Sequence, residues 1–321
     1  MITSTKKWLL AAMLLIIVGI TVIGLCACSA GFDLDNFSTS KYETSVTDIT
    51  EKFENIEINS DVADIKFIKS EDDTCKVVCY NQEKEKHTVI ATGGTLKITY
   101  SPEKKWYEYI GINLNSPSIT VYLPEDEYSS VVIDESTGDI NIPSNFKFNS
   151  LDLSLSTGDV VLGASTEQLC KISLSTGDLT VKDAHVGSLD ISLSTGDVDI
   201  SDTSITDSFT ISLTTGDVTL TNVTCKDFTS TATAGDLSLC SVVSSGKISV
   251  VTTTGNVILS ASDAEELIIE TSTGDVTGTL LSEKIFISST STGKIDIPKT
   301  ASGGICEITT STGDIKISIA K

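Results

Sequence analysis

The stretch Leu153–Leu162, LSLSTGDVVL, decides the fold because close copies of it recur along the chain. The next three copies are Ile172–Val181 (ISLSTGDLTV), Ile191–Ile200 (ISLSTGDVDI) and Ile211–Leu220 (ISLTTGDVTL). Self-similarity at a fixed period is typical of solenoids and other repeat architectures. The repeated Ser-Thr-Gly-Asp is therefore interpreted first as a structural element of the fold, and only then as a possible functional site.

Ten glycines mark ten copies, and successive glycines are 19 or 20 residues apart. Glycine tolerates the positive φ of a sharp turn, and Thr and Asp side chains can hydrogen-bond to turn backbone. Because ten catalytic sites on one chain are not credible, we interpret the glycines as structural turns. They are Gly138, Gly158, Gly177, Gly196, Gly216, Gly235, Gly255, Gly274, Gly293 and Gly313.

The residues around each glycine predict two short strands. The position two residues after the glycine is aliphatic in all ten copies, and alternate positions on both sides are mostly apolar. Strands with one apolar face bury that face by stacking on neighbouring copies. The sequence therefore predicts an all-β fold: a single-stranded, β-helix-like β-solenoid of about ten 19–20-residue coils over residues 131–321, with the last copy at the C-terminal end.

The segment before the repeat contains short strand-like stretches without the glycine register. We expect irregular β structure over residues 46–130 that starts the stack and caps its N-terminal end, since an uncovered sheet edge invites aggregation. Residues 31–45 are interpreted as a spacer.

The N-terminal segment, residues 1–30, is predicted to be a membrane anchor. Trp8–Ala27 is a run of 20 uncharged residues that follows Lys6 and Lys7 and has about the length of a transmembrane helix. One alternative is a signal-anchor helix that is retained. The other is a lipoprotein signal, because LCAC ends at Cys28, which would then be lipidated. Both alternatives leave the rest of the chain outside the membrane.

Composition argues against several classes of function. Asp and Glu total 44 against 22 Lys and Arg, all of them lysine, so the formal net charge is −22. A nucleic-acid partner needs a basic surface and is not expected. Only His87 and His185 are available for acid–base work, and the protein is not predicted to be an enzyme. The eight cysteines include no CxxC pair, so we interpret most of them as small buried hydrophobic residues.

Stacked turns would align aspartates along one edge of the solenoid. The nonapeptide calcium-binding repeat is absent, so no metal ligand is assigned, and Ca²⁺ along this edge is only a weak alternative to a hydrated acidic edge. A Ser or Thr two residues before each glycine would form a second row, similar to the arrays of ice-binding solenoids; ordinary strand residues are the alternative. The aligned aspartates are Asp139, Asp159, Asp178, Asp197, Asp217 and Asp236.

An aromatic cluster is the third candidate for recognition. Trp106, Tyr107 and Tyr109 stand next to Lys104 and Lys105, a combination that suits a membrane surface, a glycan or a peptide partner. The alternative is that these residues pack over the first coil as a cap.

Three features together resemble a known family: Phe53–Phe67 (FENIEINSDVADIKF), Ile119–Pro124 (ITVYLP) and the serial STGD turns. They are similar to the bacterial putative-adhesin family of unknown function, also called the toastrack domain, over roughly residues 45–321. The resemblance implies an extracytoplasmic β-solenoid, often from a Gram-positive bacterium. Some relatives accompany envelope-stress systems, and the family implies no catalytic residues.

We therefore expect a non-enzymatic, membrane-anchored extracytoplasmic binding module that acts in cell-envelope stress sensing or regulation. Its expected partners are an envelope protein or a cationic peptide, since a strongly acidic surface attracts cationic ligands. The alternative is a surface adhesin that binds a host or a neighbouring cell. A glycan-cleaving enzyme is disfavoured because the acids repeat uniformly instead of clustering as a catalytic pair.

Overall fold

The computed structural model describes residues 12–24, 41–103 and 115–320. Residues 12–24 are helical and exposed. The predicted membrane span Trp8–Ala27 extends beyond this helix at both ends. In the described parts of the chain, none of the helical structure has both the length and the apolar character of a membrane span.

The body of the protein is a single sheet of 27 strands. Before the first corner glycine the strands are β1 (Tyr42–Ile49), β2 (Asn55–Val62), β3 (Asp64–Lys69), β4 (Cys75–Gln82), β5 (Glu85–Thr92), β6 (Thr95–Pro102), β7 (Ser118–Leu123) and β8 (Glu127–Thr137). The central strands are β9 (Ile140–Ile142), β10 (Lys147–Thr157), β11 (Val160–Leu162), β12 (Ser165–Thr176), β13 (Leu179–Lys182), β14 (His185–Thr195), β15 (Val198–Ile205), β16 (Ser208–Thr215), β17 (Val218–Cys225), β18 (Asp227–Ala234), β19 (Leu237–Ser244), β20 (Lys247–Thr254) and β21 (Val257–Ser262). The last strands are β22 (Glu266–Thr273), β23 (Val276–Leu280), β24 (Lys284–Thr292), β25 (Ile295–Asp296), β26 (Gly304–Thr312) and β27 (Ile315–Ile319).

From β8 to β23 the chain forms a parallel β-solenoid. Each coil has one strand before its corner glycine and one after it, and both pair in parallel with the equivalent strands of the next coil. Leu151, for example, pairs with Val131 on one side and Cys170 on the other, and all three are buried. Such columns form one continuous core, and each buried aliphatic side chain contributes about 1.5–3 kcal/mol. The predicted β-solenoid is confirmed.

The coils do not stack in chain order at the C-terminal end, which corrects the expectation that the last copy ends the stack. Strand β22 pairs with β26, and β24 pairs with the other side of β26. The final coil, β26–β27, is therefore inserted between two coils that precede it in the chain. In the described residues no strand pairs with the outer side of β24 or β25.

Two adjacent glycines allow this insertion. A Cβ atom at Gly303 would lie 1.7 Å from the carbonyl oxygen of Glu283, and one at Gly304 would lie 1.8 Å from that of Glu265. The backbone of the final coil is thus in close contact with a neighbour on each side. No side chain larger than hydrogen fits at these two positions without displacing backbone.

A buried lysine ties the outermost coil to the stack. The Nζ atom of Lys284 lies 2.6 Å from a carboxylate oxygen of Asp263 and donates to the carbonyl oxygen of Ala264 at 2.6 Å. The Lys284 side chain is only 4% exposed. Since Asp263 and Ala264 precede β22, this ion pair joins the outer coil to a coil beyond the inserted one.

Two further coils lie at the N-terminal end, in the segment for which the sequence predicts irregular β structure. Strands β2 and β3 pair with β8 and β9, and β6 and β7 pair in turn with β2 and β3, all in parallel. With the ten glycine-marked coils they make twelve in the described chain, a stack roughly 50–55 Å long at the usual strand spacing. Antiparallel pairings then close this end: β5 with β6, β4 with β7, and β1 with β4.

A second corner follows six residues after the glycine in five consecutive coils. There the backbone has positive φ, between 50° and 56°, although none of the five residues is glycine. The left-handed conformation is tolerated by Asn and Asp and costs other residues about 1–2 kcal/mol. The five are Asp183, Asp202, Asn222, Ser241 and Ala261.

Candidate functional site

The corner glycines form a column in which each contacts the adjacent coil. A Cβ atom on any of the ten would lie 1.8–2.1 Å from a backbone carbonyl oxygen of its neighbour. Nine of the ten also have positive φ; the exception is Gly293, in the outermost coil. Glycine is required here for backbone conformation and for close packing, and the column aligns the residues that flank it.

The residue after each corner glycine forms a ladder of hydrogen bonds along the solenoid. The backbone N–H of Asp178 donates to Oδ1 of Asp159 at 2.8 Å, and that of Asp197 donates to Oδ1 of Asp178 at 2.8 Å. Ten such bonds, of 2.7–3.1 Å, run from Asp64 at one end to Lys294 at the other. Each carboxylate therefore links two coils, whereas the sequence suggested a bond within one turn.

The two exceptions in this ladder have a physical explanation. Asn256 accepts with Oδ1, as the aspartates do, and its amide also donates to Asp236. The backbone N–H of Lys294 donates to Oδ1 of Asp314. Lys294 lies in the outermost coil, so in the described chain there is no next coil whose N–H would need an acceptor from its side chain. An acceptor is thus needed at every position except the last, and the charge itself is not needed for the hydrogen bonds.

The aspartates form an exposed acidic edge. All six residues predicted for this edge are exposed, and one oxygen of each is used in the ladder. Among the described residues no group of three or more His, Cys, Asp or Glu side chains has an arrangement that could hold a metal ion. The exposed carboxylates of the edge are spaced one per coil.

A shallow trough of about 450 Å³ runs beside the acidic edge. It is lined along its middle by the residues three positions before the corner glycines, such as Leu155, Leu174 and Leu193, whose side chains are themselves buried in the core. Two rows of hydroxyl groups flank these residues at the usual spacing of about 4.8 Å between strands. The rows are Ser154, Ser173, Ser192, Ser212 and Thr231, and Ser156, Ser175, Ser194, Thr214 and Thr233.

A buried polar cluster closes the N-terminal end, and the sequence analysis did not identify it. His87 Nδ1 lies 2.6 Å from Oδ1 of Asn81, and Nε2 lies 2.9 Å from Oγ of Ser60. Because Asn81 Oδ1 can only accept, His87 donates from Nδ1 and accepts the Ser60 hydroxyl at Nε2. The order Ser, His, Asn is also found in nucleophilic sites. Here, however, none of the three is more than 7% exposed, so a substrate has no access.

Glu135 lies beside this cluster, and the equivalent position in the next coils is occupied by leucine. It pairs with Ser60 across β2 and β8 and is 1% exposed. Burial raises its pKa to about 7, although hydrogen bonds from the backbone N–H groups of Thr137 and Ala63 oppose this shift. Burial also lowers the pKa of His87 to about 4. At neutral pH the cluster thus contains an uncharged imidazole and a carboxyl group that titrates.

The six described cysteines are free thiols, and five of them are buried. Burial raises the pKa of Cys75 to about 12 and that of Cys79 to about 11, so neither is a reactive thiolate at neutral pH. Cys28, the candidate for lipidation, lies outside the described residues. So do Trp106, Tyr107 and Tyr109, the candidates for partner binding.

The solved structures that match the chain include three from Bacteroides and Parabacteroides species. They are a putative adhesin from Bacteroides fragilis (14% identity, TM-score 0.42, covering 87% of this chain and 97% of that one), a putative lipid binding protein from Parabacteroides distasonis (14%, 0.41, 88% and 98%) and a putative adhesin from Parabacteroides merdae (12%, 0.44, 88% and 97%). At these scores the three structures support no inference about a ligand.

No curated protein matches the chain in sequence. The sequence profile of the toastrack domain, Toastrack DUF4097, matches residues 53–208 and again residues 204–321. Together the two matches cover the solenoid and most of its N-terminal cap. The chain therefore belongs to the toastrack family.

Proposed function

We propose that this protein is a non-enzymatic binding module, held at the outer face of a cell membrane by its N-terminal segment, that acts in envelope-stress sensing or regulation. Its ligand is a cationic peptide or the cationic surface of an envelope protein. The observation that carries the proposal is the acidic edge, where carboxylates recur once per coil along a rigid support. Such a row attracts a multiply charged cation more strongly than isolated surface acids do.

Membrane attachment is supported by the N-terminal segment. The helical residues 12–24 carry exposed apolar side chains, among them Leu14, Leu15 and Ile23. Lysines precede the apolar run and the acidic body follows it, which is the charge distribution of a segment whose body is exported. A retained helix and a lipid on Cys28 predict different products: only the second loses residues 1–27 and incorporates a labelled fatty acid that Cys28→Ser abolishes.

The acidic edge can be tested without disturbing the fold, because Asn256 shows that asparagine fits the ladder. The triple variant Asp159→Asn, Asp178→Asn, Asp197→Asn keeps the Oδ1 acceptors and removes three charges. A lysine-rich amphipathic peptide should bind this variant about tenfold more weakly than the wild type, at about 0.2–1 kcal/mol per lost exposed ion pair. Binding of the wild type should also weaken in high salt.

The matched control is Asp134→Asn, Asp190→Asn, Asp199→Asn, which removes the same charge from acids outside the ladder. It should bind the peptide nearly as well as the wild type. If both triple variants lose affinity equally, binding follows net charge and the acidic edge is not a site. If neither variant loses affinity, the peptide does not bind through these carboxylates.

A second candidate function, adhesion to a host or neighbouring cell, is favoured by the hydroxyl trough. Its two rows of Ser and Thr offer regularly spaced donors and acceptors, which suit a repeating polysaccharide. Under this alternative, Ser156→Ala, Ser175→Ala, Ser194→Ala reduces the binding of the protein to intact cells, while the aspartate variants do not. The opposite pattern supports the cationic partner.

A further inference from the structure

We propose that the C-terminal end of the stack is a homodimer interface, at which two copies of the chain join end to end through antiparallel pairing of β24 with β24. This inference does not depend on the proposed ligand of the acidic edge. It rests on an open strand edge, on the residues that this edge exposes and on the local balance of charge.

The outermost coil at the C-terminal end has core-facing residues that no further coil covers in the described stack. Ile295, which is equivalent to fully buried residues such as Ile315, is 44% exposed, and Phe286 is only partly buried. On the outward face, Ile285 and Ile287 are 43% and 52% exposed, and Ile305 is adjacent to Ile285. Along the same strand, the backbone groups on the outer side of β24 are unpaired within the described residues. Open strands of this kind pair readily with other strands.

The sequence of β24 is complementary to itself. Its apolar part, Ile285-Phe286-Ile287, reads the same in both directions. In a two-fold antiparallel pairing about Phe286, Ile285 of each copy faces Ile287 of the other, and the two Phe286 side chains meet on the core side. Two-fold interfaces use the same patch on both subunits, so a palindromic edge strand favours a second copy over an unrelated strand.

Charge selects this end for self-association. The protein carries a net charge of −22, and two copies that approach side by side bring acidic edges together. Residues 282–320 contain four acids (Glu283, Asp296, Glu307 and Asp314) and four lysines (Lys284, Lys294, Lys299 and Lys316), a net charge of zero. Lys294 replaces the aspartate found in most other coils, so the acidic edge stops before the interface. Electrostatic repulsion between two copies is therefore small at the open edge of β24.

The test measures the mass of the full-length protein by sedimentation equilibrium in a density-matched detergent over a wide range of concentration. The wild type should pass from monomer to dimer as concentration rises. Ile285→Lys, Ile287→Lys brings four extra lysines together in the dimer and should raise its dissociation constant at least tenfold. The control, Val161→Lys, Ile258→Lys, also introduces two lysines in place of β-branched residues of similar exposure, here in the middle of the stack, and should dimerise like the wild type.

Hydrogen exchange of the wild type locates the interface without any substitution. Backbone amides of β24 should become more protected as the dimer forms, and those of β1, β4 and β5 should not. A wild type that stays monomeric at all concentrations overturns the proposal, and so does a dimer whose new protection lies elsewhere. Equal dimerisation of the two double variants also overturns it. A monomer whose β24 is protected only by a foreign peptide strand would assign the edge to another protein instead.

Discussion

At its N-terminal end the stack is closed by the antiparallel strands β5, β4 and β1, whereas at its C-terminal end β24 has no further strand beside it in the described chain. The closed end contains buried polar side chains, including Asn81, His87 and Glu135. The open end exposes isoleucines on two adjacent strands, Ile285 and Ile287 on β24 and Ile305 on β26, whereas the closed end exposes single aliphatic residues such as Ile90 on β5. Parallel coils always leave two edges to be managed. This chain adds antiparallel strands of its own to one end, where the last of them, β1, has no strand on its outer side in the described residues, and it adds none beyond β24 in those residues.

The two ends nevertheless share one topological arrangement. At each end, the coil nearest to the chain terminus lies one position inside the stack, and a coil that is further from that terminus in sequence covers it. Strand β2 lies between β6 and β8, and β26 lies between β22 and β24. The two ends therefore hold the terminal coil in the same way. They differ in whether further strands cover the outermost coil.

The strongest way to break this comparison is to prevent insertion of the final coil. Gly304→Val places a Cβ 1.8 Å from a backbone oxygen and should cost about 4 kcal/mol or more. Hydrogen exchange should then show lost protection over residues 284–320 and unchanged protection over residues 55–102. Ala301→Val, in the exposed loop nearby, is the control and should behave like the wild type. Equal loss at both ends would mean that the stack unfolds only as one unit.

The buried ion pair gives the next largest effect. Lys284→Met leaves the Asp263 carboxylate without its cation in a mostly buried site and should lower the free energy of unfolding by about 3–5 kcal/mol. Replacing both partners, as in Lys284→Met with Asp263→Leu, should recover part of that loss, because no unpaired charge remains. Urea unfolding measures both values. Equal losses in the single and double variants would mean that the pair does not interact.

The polar cluster at the closed end predicts a pH dependence. Since burial raises the pKa of Glu135 from 4.5 to about 7, the folded state binds this proton more tightly than the unfolded chain. The stabilisation is full below pH 4.5 and is lost as pH rises through 7, an effect of about 3 kcal/mol. His87, whose pKa falls from 6.5 to about 4, acts in the opposite direction and loses its contribution as pH falls below 6.5.

Glu135→Gln separates the two groups. The variant should be more stable than the wild type at pH 8, should differ little from it near pH 5, and should keep the acid-side loss that His87 causes. Urea unfolding at several pH values between 4 and 8.5 provides the comparison. An unchanged slope above pH 5 would show that Glu135 is not the titrating group.

The smallest effect is expected in the middle of the stack, away from the special coil order at both ends. Ala261 has a φ of 50°, a conformation that glycine adopts without strain, so Ala261→Gly should stabilise the protein by about 0.5–1 kcal/mol. Ala91→Gly in strand β5 should destabilise it by a similar amount, since no strain is relieved there. Thermal unfolding distinguishes the two signs. A destabilising Ala261→Gly would mean that the second corner is not strained.

The sequence predicts the central coils well, because inward aliphatic residues and corner glycines repeat every 19 or 20 positions. It does not predict the order of the coils, since every copy has the same period wherever it stacks. Only a few individual residues indicate the order of the coils. Lys294 replaces the acceptor side chain because it lies in the outermost coil, and Gly303 and Gly304 allow the inserted coil to contact both neighbours. The coil β2–β3 escaped detection because Ala63 occupies its corner.

The candidate site was only partly predictable. Both rows beside the corners, the aspartates and the Ser and Thr residues, follow from the repeat, and the structure adds that the aspartates bond from coil to coil. The second corner was missed because five different coils use Asp, Asn, Ser or Ala there. The cluster of Ser60, Asn81 and His87 joins residues from three strands, and no periodic pattern connects them.

The inverted order of coils at both ends also constrains how this rod changes length during evolution. A unit appended after the final coil has no free edge to extend, because strands already occupy both sides of β26. A unit duplicated or deleted between β10 and β21 leaves both end structures intact and changes the rod by about 4.8 Å. Homologous chains should therefore differ in the number of central coils, while the coils that stack out of chain order at the two ends should be retained.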